Sequence, residues 1–194
     1  FWVVHLDVPA KSLKELAAYG RANPDKLTVG SSSATGSIAP SLFATAEKVK
    51  LQVILYKSET TALNDILGGR IQMMLITGTL AQHVRDGKVR GLATLLPQRS
   101  KGLPDLPTMT EAGLPPFPGI PWMGLFGPAH MPKEVVDRLS KELLATLAKP
   151  EVRTQIERQA MELNPLSAEG MGALARDQVA VWRRLTLDAG IVPE

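Results

Sequence analysis

Short apolar runs recur along the chain, and between them apolar residues fall three and four positions apart. The first pattern predicts strands and the second predicts amphipathic helices. Strands are expected over 1–5, 26–30, 51–56, 71–76 and 89–96, and the near-continuous apolar run at 71–76 suits a strand covered on both faces. Ser12-Leu13-Lys14-Glu15 has the form of a capping box, with Ser12 accepting from first-turn amides and Glu15 reaching back. The helix it opens places Leu13, Leu16 and Ala17 on one face and ends before Asn23-Pro24. A helix of about ten residues containing Leu42 and Phe43 is expected next, then one over 60–67 closed by Gly68-Gly69, then a short one ending at Gly87. This repeated β-α order predicts an α/β fold with a parallel-rich sheet flanked by helices.

Beyond residue 96 the pattern changes. Seven prolines with interspersed glycines make 97–121 an irregular crossing, with one helical turn expected at 108–112. Residues 122–126 again read as a strand. Pro132 stands where a first-turn proline belongs, and Val135, Val136, Leu139, Leu143, Leu144 and Leu147 form a helical stripe. Two further helices are expected over 150–160 and 167–188, with a short strand at 161–164 between them.

Composition narrows the chemistry. Of 194 residues, 44% are hydrophobic and 21% charged, which is ordinary for a globular chain and too apolar for a disordered one. The absence of cysteine excludes disulfides, thiolate metal sites and a cysteine nucleophile. A net charge of +3 raises nucleic acid as a partner. Against it, Lys133, Arg138 and Lys141 alternate with Glu134, Asp137 and Glu142 as on a solvated helix face, so no nucleic-acid partner is expected. No apolar run is long enough to span a bilayer. Residues 1–5 lack the basic start and long apolar core of a signal peptide, so for an exported protein they correspond to a processed form or a fragment.

The sharpest local feature is the run from Gly30 through Ser31, Ser32, Ser33, Ala34, Thr35, Gly36 and Ser37, expected as a small-residue loop between a strand and a helix. Small residues let backbone approach a ligand closely, and the first amides of a helix lack partners within it. Unpaired N–H groups, four serine hydroxyls and the positive helix end together suit a carboxylate or phosphate, although a serine-capped turn would carry the same residues. Walker A and dinucleotide patterns are missing, which favours a small carboxylate over a nucleotide. Tyr56-Lys57-Ser58 and Thr77-Gly78-Thr79 are expected at the same edge of a parallel sheet, where ligands usually sit. Tyr56 and Thr77 complete the candidate set, with Lys57 equally readable as a solvated charge and the threonines as helix caps. His5, His83 and His130 lie far apart and form no metal-spaced pair, and no nucleophile elbow can be read. A non-catalytic binding role with no cofactor and no metal follows, with Asp65 expected to make a local hydrogen bond.

Taken in order, several stretches resemble the tripartite tricarboxylate transporter substrate-binding proteins, also called Bug receptors. They are Pro9 to Leu16, Asn23 to Leu27, the serine loop, Tyr56-Lys57, Ala62 to Gly69, Gly87 to Ala93, Arg99, Leu106 to Leu114, Trp122 to Pro128 and the helix from Pro132 to Leu147. The resemblance implies a periplasmic receptor with a type II periplasmic-binding-protein-like fold, whose two α/β lobes close on a small carboxylate for delivery to membrane transporter subunits or a sensor. It also implies that backbone amides, hydroxyls and waters hold the ligand, and that the contacts map onto Ser31–Ser37 and the strand end near Thr77.

By the same resemblance, residues 6–121 are a complete second lobe, while 1–5 and 122–194 are hinge strands and the C-terminal portion of an incomplete first lobe. The family's Ser-Gly-x-Gly-Ser reads here Ser33-Ala34-Thr35-Gly36-Ser37, with Pro40 near the usual histidine. Ile76 stands near the usual aspartate, and Ser58 replaces the glycine after Tyr-Lys. A first lobe without its partner sheet leaves apolar helix faces wet. One of three outcomes is expected: repacking on the second lobe, pairing with another chain (self-association among the ways), or a separate fragment completing the lobe. Other readings stay open at this point: the effector domain of a transcription regulator, an enzyme on an α/β scaffold, and a truncated receptor that no longer binds.

Overall fold

The structure is a computed structural model and describes residues 1–119 and 121–191. Residue 120, in the proline-rich crossing, and residues 192–194, at the end of the expected C-terminal portion, lie outside the described residues.

Five strands form one sheet: β1 (Trp2–Val4), β2 (Thr28–Ser31), β3 (Gln52–Leu55), β4 (Met73–Leu75) and β5 (Arg90–Ala93), in spatial order β3-β2-β4-β1-β5. Strands β2, β3 and β4 are mutually parallel, whereas β1 runs against both β4 and β5, so four of the five share one direction. The sheet is parallel-rich, as the alternating pattern predicts.

Strand alternation builds two cores. Trp2, Val4, Val29 and Met73 point to one face, where α1 (Leu13–Ala22) and α2 (Ala34–Glu47) cover them through Leu13, Leu16, Ile38 and Phe43. Phe1, Val3, Met74 and Ile76 point to the other, beneath α3 (Glu59–Leu67) with its Ala62, Leu63 and Ile66. Residues 1–5 were expected to belong with 122–194 as a hinge strand. Trp2–Val4 fill the gap between β4 and β5, where consecutive apolar side chains serve both cores at once.

The local signals act as their chemistry requires. Ser12 Oγ accepts the Glu15 N–H at 3.1 Å, and the Glu15 carboxylate reaches back to the Lys11 N–H rather than that of Ser12. At the end of α3 it is Gly69, not Gly68, that takes the left-handed conformation, at φ 71°. The helical turn expected at 108–112 forms, with the Ala112 N–H bonded to Thr108 O.

After a short 3₁₀ turn (Gly78–Leu80) and α4 (Gln82–Arg85), the crossing leads to α5 (Lys133–Ala148), α6 (Pro150–Arg158) and α7 (Ala168–Asp188). Pro132 is the residue just before α5 rather than inside its first turn. The strands expected at 122–126 and 161–164 do not form. No described strand lies beside 122–126 to complete a ladder, and Met123, Leu125 and Phe126 stay exposed. Two of the C-terminal elements do pack on the sheet domain. Leu185 of α7 is buried with Trp182 against Phe117, the two rings meeting edge-on at 6.0 Å. The end of α6 buries Ala160 against the α3-side core. No described helix is long and apolar enough to cross a membrane.

Candidate functional site

Strands β2 and β4 are neighbours, and Gly30 pairs with Met74, so the chain leaves both at the same height. From β2 it turns to the face covered by α2, and from β4 to the face that holds Ala81 and α3. Adjacent strands whose connections diverge to opposite faces open a crevice at their carboxyl ends, where α/β sheets usually hold ligands.

Ser31 to Ser37 form one wall of that crevice. The expected loop is shorter than the small-residue run suggests, because Ala34 to Ser37 already form the first turn of α2. Ser33 brings this about. Its backbone is extended, and its Oγ accepts the Gly36 N–H at 3.1 Å, an N-cap that starts the helix within the run. Ser31, only 2% exposed, sits behind it, with its Oγ donating to Ser33 O at 3.0 Å and lying 2.8 Å from Ser37 Oγ. Since Ser31 has spent its proton, Ser37 donates to Ser31. A methyl group on Gly36 would lie 2.8 Å from Ser31 Oγ and 3.2 Å from Ser33 Oγ, so only glycine lets this bend close.

Two hydroxyls and the N–H groups of Ser33, Gly36 and Ser37 are thus spent inside the bend, while the N–H groups of Ala34 and Thr35 find no acceptor among the described residues. Ser32, Ser33 and Ala34 are exposed beside them. Open donors at a capped helix start, with the dipole's positive end behind them, form a shelf suited to one carboxylate.

Tyr56 and Thr77 flank the shelf in a different manner from that expected. The Tyr56 N–H bonds to Ser31 O at 2.7 Å, which ties the end of β3 to the shelf. Its ring packs on the opposite face of the sheet with Ala62 and Ile66, and its hydroxyl donates to Asp65 Oδ2 at 2.8 Å. Asp65 also accepts from Arg70 at 2.6 Å. The Tyr56 and Arg70 hydrogen bonds hold the Asp65 carboxyl below its usual range. Burial, then the Asp65 bond, pushes the Tyr56 phenol up.

At the end of β4, Glu59 of α3 takes both donors of Thr77, the N–H at 2.5 Å and the Oγ1 hydroxyl at 2.9 Å. Glu59 was missed in the sequence. A first-turn acid after the Ser58 cap suits a helix start, so its reach across to β4 left no separate signal.

Two clefts of about 380 Å³ and 310 Å³ open at the other edge of the sheet, lined in part by His5, Asp25, Lys26 and Gln72 and by Leu27, Lys50 and Gln52. Neither contains a candidate residue. The shelf is therefore one open wall. Among the described residues, no three His, Asp or Glu side chains gather as metal ligands.

Sheet order, diverging connections and an anion-ready helix start define an α/β lobe of the periplasmic solute-binding type. Over residues 1–191 the chain matches the tripartite tricarboxylate transporter family receptor, TctC, and it belongs to that family. Among curated relatives, it is 30% identical over 190 residues to the UPF0065 protein of the tcbD-tcbE intergenic region in Pseudomonas sp. strain P51, covering 96% of this chain and 56% of that protein. It is 26% identical to BugT of Bordetella pertussis strain Tohama I, covering 92% and 56%. The chain thus spans about half the length of these relatives. Its fold superposes on R. palustris Rpa4515, solved with adipate, at TM-score 0.90 and 27% identity. It superposes on the periplasmic binding protein BugD at TM-score 0.86 and 32% identity. Both comparisons cover all of this chain and 66% of the other.

Proposed function

We propose that this chain is the ligand-holding part of a periplasmic, non-catalytic receptor for a small carboxylate, which it delivers to the membrane subunits of a tripartite tricarboxylate-type transporter. One observation carries the reading: the capped start of α2 presents the unpaired N–H groups of Ala34 and Thr35 at the carboxyl end of β2. On this reading these amides, with the Ser32 and Ser33 hydroxyls, hold the carboxylate. Ser31, Gly36 and Ser37 shape the bend, and Tyr56 and Thr77 border it. Family membership and the adipate carried by Rpa4515 support a carboxylate over other anions. Residues 6–121 correspond on this reading to one ligand lobe, and 122–194 to the return into another.

Ala34→Pro tests the reading. Ala34 is the first helical residue of α2, a position where proline is favoured, and Ser33 before it is already extended, as proline requires. The change removes one N–H and leaves the helix intact. In a thermal-shift screen of the protein as encoded, a bound carboxylate at a hundred times its dissociation constant adds about 2.7 kcal/mol of stability. Ala34→Pro is expected to fold normally and to bind that carboxylate about tenfold more weakly, the worth of one charge-assisted hydrogen bond. Unchanged affinity in the variant, or no response to mono-, di- or tricarboxylates in the parent, would defeat the proposal.

A further inference from the structure

We propose that Ala160 and Leu185 are the two fixed points of a hinge on which the C-terminal helices turn against the sheet domain, and that the Ala160 seat ties this motion to the crevice. The hinge stands on packing alone. Its tie to the crevice rests on the reading of the serine shelf as a carboxylate site.

Burial singles out the two residues. From Pro121 to Ile191 they alone among the described residues are buried, Ala160 at 3% and Leu185 at 5% exposed. Helices α5 and α6 bury nothing, and α7 buries only Leu185. The seats lie on opposite faces of the sheet: Ala160 joins the core beneath α3, and Leu185 joins the core beneath α1 and α2. The helices themselves hold together, with α5 packed on α6 and α7 and the Ala168 N–H bonded to Ser140 Oγ at 3.2 Å. The stretch leading into α5 adds no restraint, since no N–H from Trp122 to Met131 finds an acceptor among the described residues. A body held at two points keeps one free motion, rotation about the line that joins them.

The two seats differ in kind. Leu185 is held by packing, with Trp182 meeting Phe117. Ala160 is held by close backbone approach. It ends α6 at φ 52°, a left-handed conformation that glycine adopts freely and alanine does not. The methyl group explains the choice of alanine, because it fills the seat in the core beneath α3. A Cβ on Gly102 would run into that methyl group and into Ala160 Cα, and a Cβ on Gly78 would run into the carbonyl oxygens of Gln159 and Ala160. Arg85 spans the joint, donating to Gly102 O and to Arg158 O, each at 3.1 Å. Gly78 follows Thr77 at the end of β4, so the seat adjoins the crevice. Close-packed backbone yields little. A shift of the β4 end on ligand binding is therefore passed to the end of α6 rather than absorbed.

The chain has no cysteine, so pairs of spin labels can be placed without removing native ones. Lys14→Cys with Arg138→Cys spans α1 and α5, and Lys14→Cys with Arg183→Cys spans α1 and the seated end of α7; all three side chains are exposed. The first pair is expected to give the broader distance distribution. Gly102→Ala, which unseats Ala160, should broaden it further and leave the second pair unchanged. Arg85→Gln removes two bonds without a clash and should act in the same direction, which covers the case in which Gly102→Ala does not fold. Equal widths for the two pairs, or a first pair that neither variant alters, overturns the hinge.

The tie to the crevice is read with acetate, succinate and citrate as probes. The tightest binder of the three should narrow the first pair in the parent. By linkage, a ligand that restrains the helices binds less well once they are unseated, so Gly102→Ala should bind that probe about fivefold more weakly. A bound probe that leaves the first pair as broad as before, or an affinity that Gly102→Ala leaves unchanged, overturns the tie while the carboxylate reading stands. Binding of none of the three overturns the carboxylate reading and the tie together, and the label distances still decide the hinge.

Discussion

The Tyr56 hydroxyl donates to Asp65 across 2.8 Å, joining the end of β3 to the far half of α3 on the face of the sheet away from the serine shelf. A tyrosine at the rim of the crevice therefore spends its polar atom on structure. Tyr56→Phe is expected to lower the midpoint of urea unfolding while changing carboxylate affinity less than about twofold, since no ligand bond is lost. A large loss of affinity with unchanged stability would place the phenol in the binding site.

The same pair gives the pH dependence a sign. The folded Asp65 carboxyl titrates below its unfolded counterpart, so its contribution is complete above the unfolded value and is lost as pH falls through the folded one. The Tyr56 phenol is shifted upward, so its contribution is complete below the ordinary tyrosine value and is lost only as pH rises through the higher folded one. The stability difference between parent and Tyr56→Phe should be flat from about pH 6 to 9 and shrink in acid, below the ordinary aspartate range near 4. Unfolding midpoints collected across that range will decide it. A difference that grows in acid would contradict the assignment.

Much of this lobe was legible because its elements are specified locally. The Ser12 cap, the apolar run at 71–76 and the order of strands and helices depend on neighbours in sequence or on burial of whole strands. What escaped notice depends on pairing across the sheet. That Trp2–Val4 lies between β4 and β5 follows from which strand edges were vacant, a fact no local window contains. The Glu59 to Thr77 contact likewise needs the distance between the ends of β3 and β4 across the intervening β2. Residues 122–126 misled for the opposite reason: their apolar pattern suits a strand, but a strand is realised only beside another.

Ser33 serves both the fold and the shelf, and the two roles can be separated. Ser33→Ala removes the cap on the Gly36 N–H and should cost about 1 kcal/mol, whereas Ser33→Asp restores the cap but sets a negative charge beside the Ala34 and Thr35 amides. The aspartate variant is therefore expected to be as stable as the parent and to bind carboxylates far more weakly. Parallel urea titrations and calorimetry measure the two effects. Tight carboxylate binding by Ser33→Asp would move the anion site elsewhere.

Gly78 couples the C-terminal helices to the crevice. A methyl group there would lie 2.0 Å from Gln159 O and 2.9 Å from Ala160 O, both backbone atoms with little room to yield. Around it Arg85 donates to Gly102 O and Arg158 O, each at 3.1 Å, and the Lys101 N–H bonds to Glu162. Gly78→Ala should push the end of α6 off the sheet domain, costing about 1–3 kcal/mol as overpacking does. Amide exchange should rise at 157–162 before it rises in β2 or β4. Uniform exchange across the chain would show that the contact is not a separate unit.

The α5 stripe is the least satisfied surface of the described chain. Val135, Leu139 and Leu143 are 41%, 47% and 38% exposed on successive turns, and Met123, Leu125 and Phe126 add further exposed apolar surface. A soluble monomer seldom leaves so much apolar surface uncovered. Of the outcomes expected for these helices, packing on the sheet domain is achieved by α7 and by the end of α6, whereas α5 has no buried residue. Residues 1–194 expressed alone should therefore bind a hydrophobic dye and sediment with a mass that rises with concentration. Leu139→Lys with Leu143→Lys should reduce both signals without lowering the unfolding midpoint, because neither side chain supports the core. Dye binding and sedimentation that the double variant leaves unchanged would place the sticky surface on another part of the chain.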